Sequence, residues 1–488
     1  MKILNKKNVL KGIILGVMVF SPLSMIGCNK TENNKTVSDG IARVAGEDLT
    51  KTEYQFFYNN FLNTFKMYYN GSKGEIDFSK SLDGQKMADG TSVNDFIKKS
   101  TDRMIAETVA LNKRAEKEKL DIDKEELYKN YIKDVKEKAD SEAATVNALL
   151  AARYGEDATE ENLKNITLKL LTASKAREMI VNKYTPSEKE IEQYYQEHKN
   201  NIDRYTFRLV EFYYNEDLDL EGGKKNIYDF TEEERAEAKE RAHKRAEEFL
   251  KVAKTEEDFK KKGFETAGFK EGEPNAVDTS LFDQVSTYEI FSEQVPWVTD
   301  ESRKTGDTTI IDCDNMQSYV VLYFINREKP MEDTLDIKQF VINTGEYAER
   351  PKNEKETDKE YEEYNKKLKE AKVSVKEKTK DFIKEWYQCS KTEEDFDKLY
   401  EKYATFKNNS KGLIANQPSK NFVPTVRKWA FDKEREEGDL KVFEGTDYSS
   451  IIYIKSKNGP EWKGIVLQLM RNDYNTHFLD EEVEELLK

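Results

Sequence analysis

The sequence predicts an α+β protein, with a helical N-terminal part followed by two tandem copies of a smaller unit of strands and helices. Three observations lead to this prediction. The hexapeptide KTEEDF occurs twice, at residues 254–259 and 391–396. A β-like run and a long charged segment precede each hexapeptide, and another β-like run follows each. Finally, 36% of the 488 residues are charged, yet 26 Tyr and 25 Phe argue for folded domains rather than disorder.

The first thirty residues have the features of a secreted protein. Four lysines precede and flank an apolar run at 12–20, which is too short to span a bilayer, and the junction Gly27-Cys28 resembles a bacterial lipobox. We therefore expect a lipoprotein signal peptide at 1–27, lipidation of Cys28 and a polar tether at 28–40. A diacylglyceryl cysteine would hold the chain stably on the outer face of the bacterial cell membrane. A secreted protein with an incidental cysteine is the alternative.

Charge and residue counts exclude several classes of site. The net charge of −15 excludes nucleic acid as an expected partner, because phosphate binding needs a basic face. The three histidines, His198, His243 and His477, fall in separate segments, so we expect neither a metal site nor a histidine cluster, and no cofactor. Cys313 and Cys389 fall in different copies of the repeat, and we expect both to be small buried side chains.

The helical N-terminal part is expected at 41–200. A short strand at 41–45 and a turn at 46–48 lead to a helix, for which Thr50 and Glu53 form the capping box. This helix has an aromatic face of Phe56, Phe57, Phe61 and Phe65. Further segments with apolar residues three and four apart predict more amphipathic helices.

The two copies of the repeat are expected at 201–330 and 331–460, because the residues around the hexapeptides repeat as well. Upstream, placing Phe212 on Phe340 aligns the two β-like runs. Downstream, order and spacing recur in two dipeptides, Val-Pro at 295–296 and 423–424 and Gly-Asp at 306–307 and 438–439. The hexapeptide is therefore interpreted as the remnant of a tandem duplication.

Two parts of the chain resemble known folding factors. The segment LTKTEY at 49–54, with the aromatic helix after it, resembles the N-terminal region of PrsA-type foldases and SurA-type chaperones. Each copy resembles a parvulin-type prolyl isomerase domain, and the second is the closer match through SKGL at 410–413 and FVPTVRKWAF at 422–431. The resemblance implies a small antiparallel sheet covered by helices in each copy. It also implies that a C-terminal helical segment, 461–488, packs back onto the N-terminal helices.

The same resemblance implies a peptide site in the second copy. Its apolar pocket falls at Phe422, Val426 and Phe431, and Trp429 belongs to the same segment. Rotation about an Xaa-Pro bond faces a barrier of about 18–20 kcal/mol. It needs no metal or nucleophile, only an apolar grip on the proline and polar groups around the twisting amide.

The polar groups of that site depart from the family pattern. The two histidines of active parvulins fall at Gln339 and Ser450, and the usual Asp or Cys falls at Thr405 or Phe406. In the first copy the strand positions align with Glu211 and about Tyr319, so both histidines are missing in both copies. Gln339, Ser450 and Thr405 remain as candidate catalytic residues, and plain core packing is the alternative for the apolar residues.

These features together lead us to expect a membrane-anchored extracytoplasmic chaperone or foldase that assists the folding of secreted proteins. Its partners would be unfolded or proline-containing secreted polypeptides, and its acidic charge would favour basic clients. Two alternatives stay open. One is an active parvulin-type prolyl isomerase with a substituted site, and the other is a non-catalytic lipoprotein binding module.

Overall fold

The computed structural model describes residues 41–69, 76–215, 230–408 and 410–488. The expected signal peptide, the tether and Cys28 lie outside these residues. The chain divides into two compact units, the first ending at Thr185 and rejoined by Leu469–Lys488, the second covering Pro186–Gln468. In the described ranges, no helix has the length and apolar character needed to cross a membrane.

The first unit begins with a β-hairpin and continues as helices. Strands β1 (Ile41–Val44) and β2 (Glu47–Thr50) pair antiparallel. The turn is only Ala45 and Gly46, both with positive φ as a two-residue hairpin turn requires, so Glu47 and Asp48 lie in β2 rather than in the expected turn. The helices that follow are α1 (Lys51–Tyr69), α2 (Val93–Lys117), α3 (Lys124–Ser141), α4 (Val146–Tyr154) and α5 (Glu160–Lys183).

The C-terminal residues complete the core of the first unit. Helices α13 (Glu461–His477) and α14 (Asp480–Leu486) end the chain. The side chains of Leu479 and Val483 are buried among apolar residues of α2 and α5. Tyr474 stacks on Tyr184 with ring centroids 4.3 Å apart. Residues 469–488 therefore belong to the same packed core as the N-terminal helices.

The second unit contains helix α6 (Glu188–Ile202) and two four-stranded antiparallel sheets. The first sheet consists of β3 (Arg204–Tyr213), β4 (Leu281–Val285), β5 (Thr308–Cys313) and β6 (Ser318–Glu328). The second consists of β7 (Asp333–Asn343), β8 (Leu413–Pro418), β9 (Leu440–Glu444) and β10 (Tyr448–Pro460). The spatial orders are β4-β3-β6-β5 and β8-β7-β10-β9. In both sheets, the strands that come second, first, fourth and third along the chain therefore lie side by side in that order.

The connections between strands are helical in the same places in both halves. The first half contains α7 (Glu232–Val252), α8 (Glu256–Thr266) and α9 (Val295–Val298). The second contains α10 (Asp358–Gln388), α11 (Glu393–Tyr403) and α12 (Pro424–Ala430). The chain is thus of the α+β class, with small antiparallel sheets.

Helix α6 belongs to the second unit, although the sequence placed it at the end of the helical part at 41–200. The reason is a local cluster around the ammonium group of Lys329. Its Nζ atom lies 3.7 Å from the ring centroid of Tyr195 in α6 and 3.5 Å from that of Trp462 in α13. An ammonium between two aromatic faces is a favourable arrangement and holds α6 against the sheets.

The repeated hexapeptide starts a helix in each half and attaches it to the sheet. Its Thr is the N-cap of α8 or α11 and its Asp completes the capping box. Its first Glu, Glu256 or Glu393, pairs with a buried cation on the first strand of the sheet, Arg208 at 3.1 Å or Lys338 at 2.6 Å. Its Phe is fully buried in both halves. Four of the six residues therefore have one structural role in both copies.

Strand pairing shows that the sequence alignment of the two halves was wrong by two residues. Arg208 lies opposite Tyr323 and Leu281, and Lys338 lies opposite Tyr453 and Leu413. Both tyrosines contact the hexapeptide Phe, with centroids 5.3 and 5.2 Å apart. Lys338 is therefore the counterpart of Arg208, and Phe212 corresponds to Ile342 rather than to Phe340.

Removing the buried cation should destabilise the second unit. We expect Lys338→Met to lower the free energy of unfolding by about 1–3 kcal/mol, because the neighbouring carboxylates of Glu393 and Asp397 lose their partner. Lys398→Met is the control, since Lys398 forms an exposed pair with Glu394 on the same helix and should cost less than about 0.5 kcal/mol. Urea unfolding followed by circular dichroism measures both, and equal losses would contradict the role of Lys338.

The pH dependence of this effect follows from two pKa shifts. Burial lowers the pKa of Lys338, but hydrogen bonds to Asp397 and Glu393 outweigh burial and the pKa is raised. Burial raises the pKa of Glu393, but hydrogen bonds from Lys338 and Lys455 outweigh it and the pKa is lowered. The pair therefore stabilises the fold between the ordinary values of 4.5 and 10.5. The difference between wild type and Lys338→Met should shrink as the pH falls below that range.

Candidate functional site

The second sheet has one face used for its core and one face that is only partly covered. Side chains alternate along β7, so Phe340 and Ile342 pack against α10 and α11. Leu335 and Ile337 point to the opposite face, where α12 covers one end. Beyond α12 this opposite face carries Gln339, and the candidate site lies there.

All four apolar residues predicted for the pocket lie in one cluster at the α12 end of this face, together with Ile337 and Ile452. Phe422 and Phe431 flank the helix and meet edge to face, with ring centroids 5.6 Å apart. Trp429 packs on Phe443 at 5.7 Å. Val426 is 8% exposed and belongs to the floor, whereas the three aromatic rings are half-buried and present part of their surface to solvent.

Two of the three candidate catalytic residues form a pair beside this cluster. The Nε2 atom of Gln339 donates a hydrogen bond to the Oγ atom of Ser450 at 3.0 Å. Ile452, part of the apolar cluster, lies directly opposite Gln339, so the polar pair and the apolar rings are neighbours on one face. The glutamine amide still offers its carbonyl oxygen as an acceptor and a second N–H as a donor.

Thr405, the third candidate catalytic residue, does not lie in the Gln339–Ser450 pair. Its backbone N–H donates to the carbonyl of Val341, and its Oγ1 accepts from the N–H of Asn343, at 3.0 and 2.9 Å. These bonds close the exposed edge of β7 beyond the end of β8. Thr405 therefore shapes the rim of the face rather than joining the Gln339–Ser450 pair, and Phe406 next to it is 57% exposed.

Sequence reasoning missed two aromatic residues on this face. Phe443 in β9 lies opposite Ser450, and Tyr448 lies two residues before Ser450 in β10 and is 46% exposed. One sequence signal could have pointed to them. The dipeptide Gly438-Asp439 precedes β9 in this half as Gly306-Asp307 precedes β5 in the first half, and Phe443 and Tyr448 follow it closely. Without the strand register, however, the sequence does not say which face they occupy.

The corresponding face of the first sheet is apolar and closed. The corrected register places Leu209 at the position of Gln339 and Val320 at that of Ser450, and both are buried. Neither Glu211 nor Tyr319 is therefore the counterpart, because the expected alignment was shifted. In the second half, Phe422 and Phe431 flank α12. In the first half, the residues that flank α9 are Gln294 and Thr299, and both of these polar side chains are buried.

A difference in length accompanies the difference in side chains. From Val295 to Gly306 the chain advances eleven residues, whereas from Val423 to Gly438 it advances fifteen. The four additional residues amount to about one helical turn. The second half therefore has the longer pocket helix and the aromatic residues at both of its ends.

Other residues considered from the sequence lie apart from this face. Cys313 is buried as expected, but Cys389 is only half-buried, because it ends α10 and its Sγ donates to the carbonyl of Trp386. His198, His243 and His477 lie on α6, α7 and α13. In the part of the chain that the structure describes, no group of three or more metal-ligating side chains occurs.

Comparisons with known proteins do not indicate a function for the chain. No known protein-family model matches the chain, and no curated protein is significantly similar to it in sequence. The fold supplies a scaffold, and function has to be argued from the face that carries Gln339, Ser450 and the aromatic cluster.

The position of Gln339 depends on one glycine. Gly412 has φ +76°, and a Cβ atom there would lie 2.1 Å from the carbonyl oxygen of Gln339. We expect Gly412→Ala to cost more than about 2 kcal/mol and to weaken peptide binding, because β8 or Gln339 has to move. Gly438→Ala is the control, since Gly438 also has positive φ but open space, and should cost about 1 kcal/mol. Thermal unfolding and peptide titration measure both, and equal losses would contradict the contact.

Proposed function

We propose that the chain is an extracytoplasmic chaperone or foldase for secreted proteins, in which the open face of the second sheet binds extended polypeptide. One observation carries the proposal. The two halves share their strand order and their hexapeptide attachment, yet only the second combines half-buried aromatic rings with a neutral polar pair, in which Gln339 is half-buried and Ser450 is 9% exposed. Such a surface can receive apolar side chains in the cluster and hydrogen-bond the peptide backbone at Gln339.

The topology supports an assignment of both halves to the parvulin-type fold. Each half has a four-stranded antiparallel sheet in the order second, first, fourth, third, with its long helices on one face and the short Val-Pro helix on the other. This arrangement resembles that of a parvulin-type prolyl isomerase domain. Lipid anchoring through Cys28 on the outer face of the membrane is part of the same proposal and rests on the N-terminal sequence.

The physical character of the face suits weak and reversible binding. Its aromatic side chains are half-buried, so a bound side chain packs against rings that are already partly covered. At about 25 cal/mol per Å² of apolar area, one half-buried aromatic contact contributes roughly 1–2 kcal/mol. Several such contacts hold an unfolded segment without trapping it, as a folding helper requires.

Truncating an aromatic residue of the cluster tests the proposed binding. We expect Phe431→Ala to weaken binding of an unfolded reporter protein roughly tenfold, and to reduce suppression of its aggregation in proportion. Phe291→Ala serves as control, because Phe291 is an aromatic residue of the first half that is 44% exposed. Light scattering during dilution of the reporter from denaturant gives the result. If both variants suppress aggregation as well as the wild type, the second face is not the binding site.

A second candidate, prolyl isomerisation, is favoured by the Gln339–Ser450 hydrogen bond next to the apolar cluster. If the pair contacts the twisting amide, replacing it with the residues of the first half, Gln339→Leu with Ser450→Val, should abolish catalysis while the apolar cluster still binds peptide. NMR exchange spectroscopy on a short Xaa-Pro peptide, with substoichiometric protein, measures the rate. Equal acceleration by wild type and double variant would remove the pair from the mechanism. If the wild type does not accelerate exchange, the face has no isomerase activity and only the proposed peptide binding remains.

A further inference from the structure

The segment around the aromatic cluster differs in charge from the rest of the chain. In a protein of net charge −15, residues 404–431 contain five Lys or Arg and no Asp or Glu. The corresponding segment of the first half, residues 267–299, contains six Asp or Glu and one Lys. The two segments follow the hexapeptide helix and reach the end of the pocket helix in their respective halves. The corresponding segments are therefore acidic beside the closed face and basic beside the open one.

Three cations near the cluster, two of them in this segment, have no carboxylate partner. Arg427 and Lys428 are on the exposed side of α12, whereas Val426 and Ala430 face the sheet. Lys441 of β9 lies opposite Ile452, and its Nζ atom lies 5.2 Å from the ring centroid of Phe443. Among the described residues, no carboxylate lies within salt-bridge distance of Arg427, Lys428 or Lys441. We call these three residues the basic rim.

The acidic residues nearest in sequence to the rim, Asp432 and Asp439, form no ion pair with it, and Asp439 pairs with Arg435. Asp432 follows Phe431, and its Oδ1 accepts the N–H of Glu434 within the loop after α12. The other three cations of the segment have partners elsewhere: Lys407 and Lys411 pair with Glu401 and Asp397, and Lys420 donates to the carbonyl of Gln284. The rim thus keeps positive charge without a carboxylate partner beside the half-buried aromatic rings.

We infer that the open face takes extended peptide segments in which an apolar or aromatic residue is flanked by acidic residues. This inference rests on the proposed function, because it specifies the class of peptide that the same face receives. The net charge of the whole chain favours basic clients, but charge interactions are screened beyond about 10 Å at 0.1 M salt. A ligand in contact with the aromatic cluster therefore experiences the basic rim more strongly than the acidic surface farther away.

The inference predicts a preference among peptides that differ only in their flanks. Three labelled peptides share a central Phe-Pro and carry two Glu, two Gln or two Lys on either side. Fluorescence anisotropy with the full chain in mild detergent gives the dissociation constants. At about 0.1 M salt, where the acidic surface farther away is screened, we expect the Glu-flanked peptide to bind roughly tenfold tighter than the Gln-flanked one, and the Lys-flanked one to bind most weakly. At about 0.5 M salt the three should converge.

A matched pair of variants assigns the preference to the rim. Arg427→Gln with Lys428→Gln should reduce the Glu-to-Gln ratio to within about twofold. Lys376→Gln with Lys380→Gln removes the same charge from exposed, unpaired positions on α10, on the other side of the sheet, and should leave the ratio unchanged. Equal loss of the ratio in both double variants would show that total charge, not the rim, is responsible, and would overturn the inference.

The remaining outcomes separate this inference from the proposed function. If all three peptides bind the wild type equally and Phe431→Ala weakens all of them, the face binds peptides without a charge preference and only the inference fails. Tighter binding of the Lys-flanked peptide would have the same meaning. If no peptide binds and no reporter is protected from aggregation, the proposed function fails and the inference fails with it.

Discussion

A buried cation on the first strand of each sheet ties together parts of the chain that are far apart in sequence. In the second half the Nζ atom of Lys338 lies 2.6 Å from carboxylate oxygens of both Glu393 and Asp397, on the helix that the hexapeptide starts. A buried ammonium is tolerated only when it is paired, so the register of β7 against α11 is strongly constrained. A slip of one residue would turn Lys338 onto the opposite face, among the aromatic residues.

This constraint separates the two faces of each sheet into different roles. The helix-covered face holds the cation, the hexapeptide Phe and its Tyr partner, and it is nearly the same in both halves. The other face contributes less to this attachment, so it can differ between the halves without loss of the fold. In the first half it is an apolar core with Leu209 and Val320, whereas the second half has Gln339 and Ser450 at these positions and one further turn in the pocket helix.

The sequence contained the local signals and lacked the register. Capping boxes, the hexapeptide and the Val-Pro and Gly-Asp pairs depend on neighbouring residues, and they predicted where helices start and that the halves correspond. The alignment of Phe212 with Phe340 failed because the true equivalence pairs Arg208 with Lys338, a match of charge and burial rather than of identity. The pocket residues Phe422, Val426, Phe431 and Trp429 could be placed together, but the contributions of Phe443 and Tyr448 follow only from cross-strand pairing.

The peptide binding that we propose for the open face needs no histidine. Histidine changes charge near neutral pH, whereas the amide of Gln339 and the hydroxyl of Ser450 stay neutral over the whole physiological range. A neutral pair therefore keeps the same hydrogen-bonding capacity when the pH varies around neutrality. The charge preference that we infer for this face is therefore assigned to the basic rim of Arg427, Lys428 and Lys441 rather than to the neutral pair.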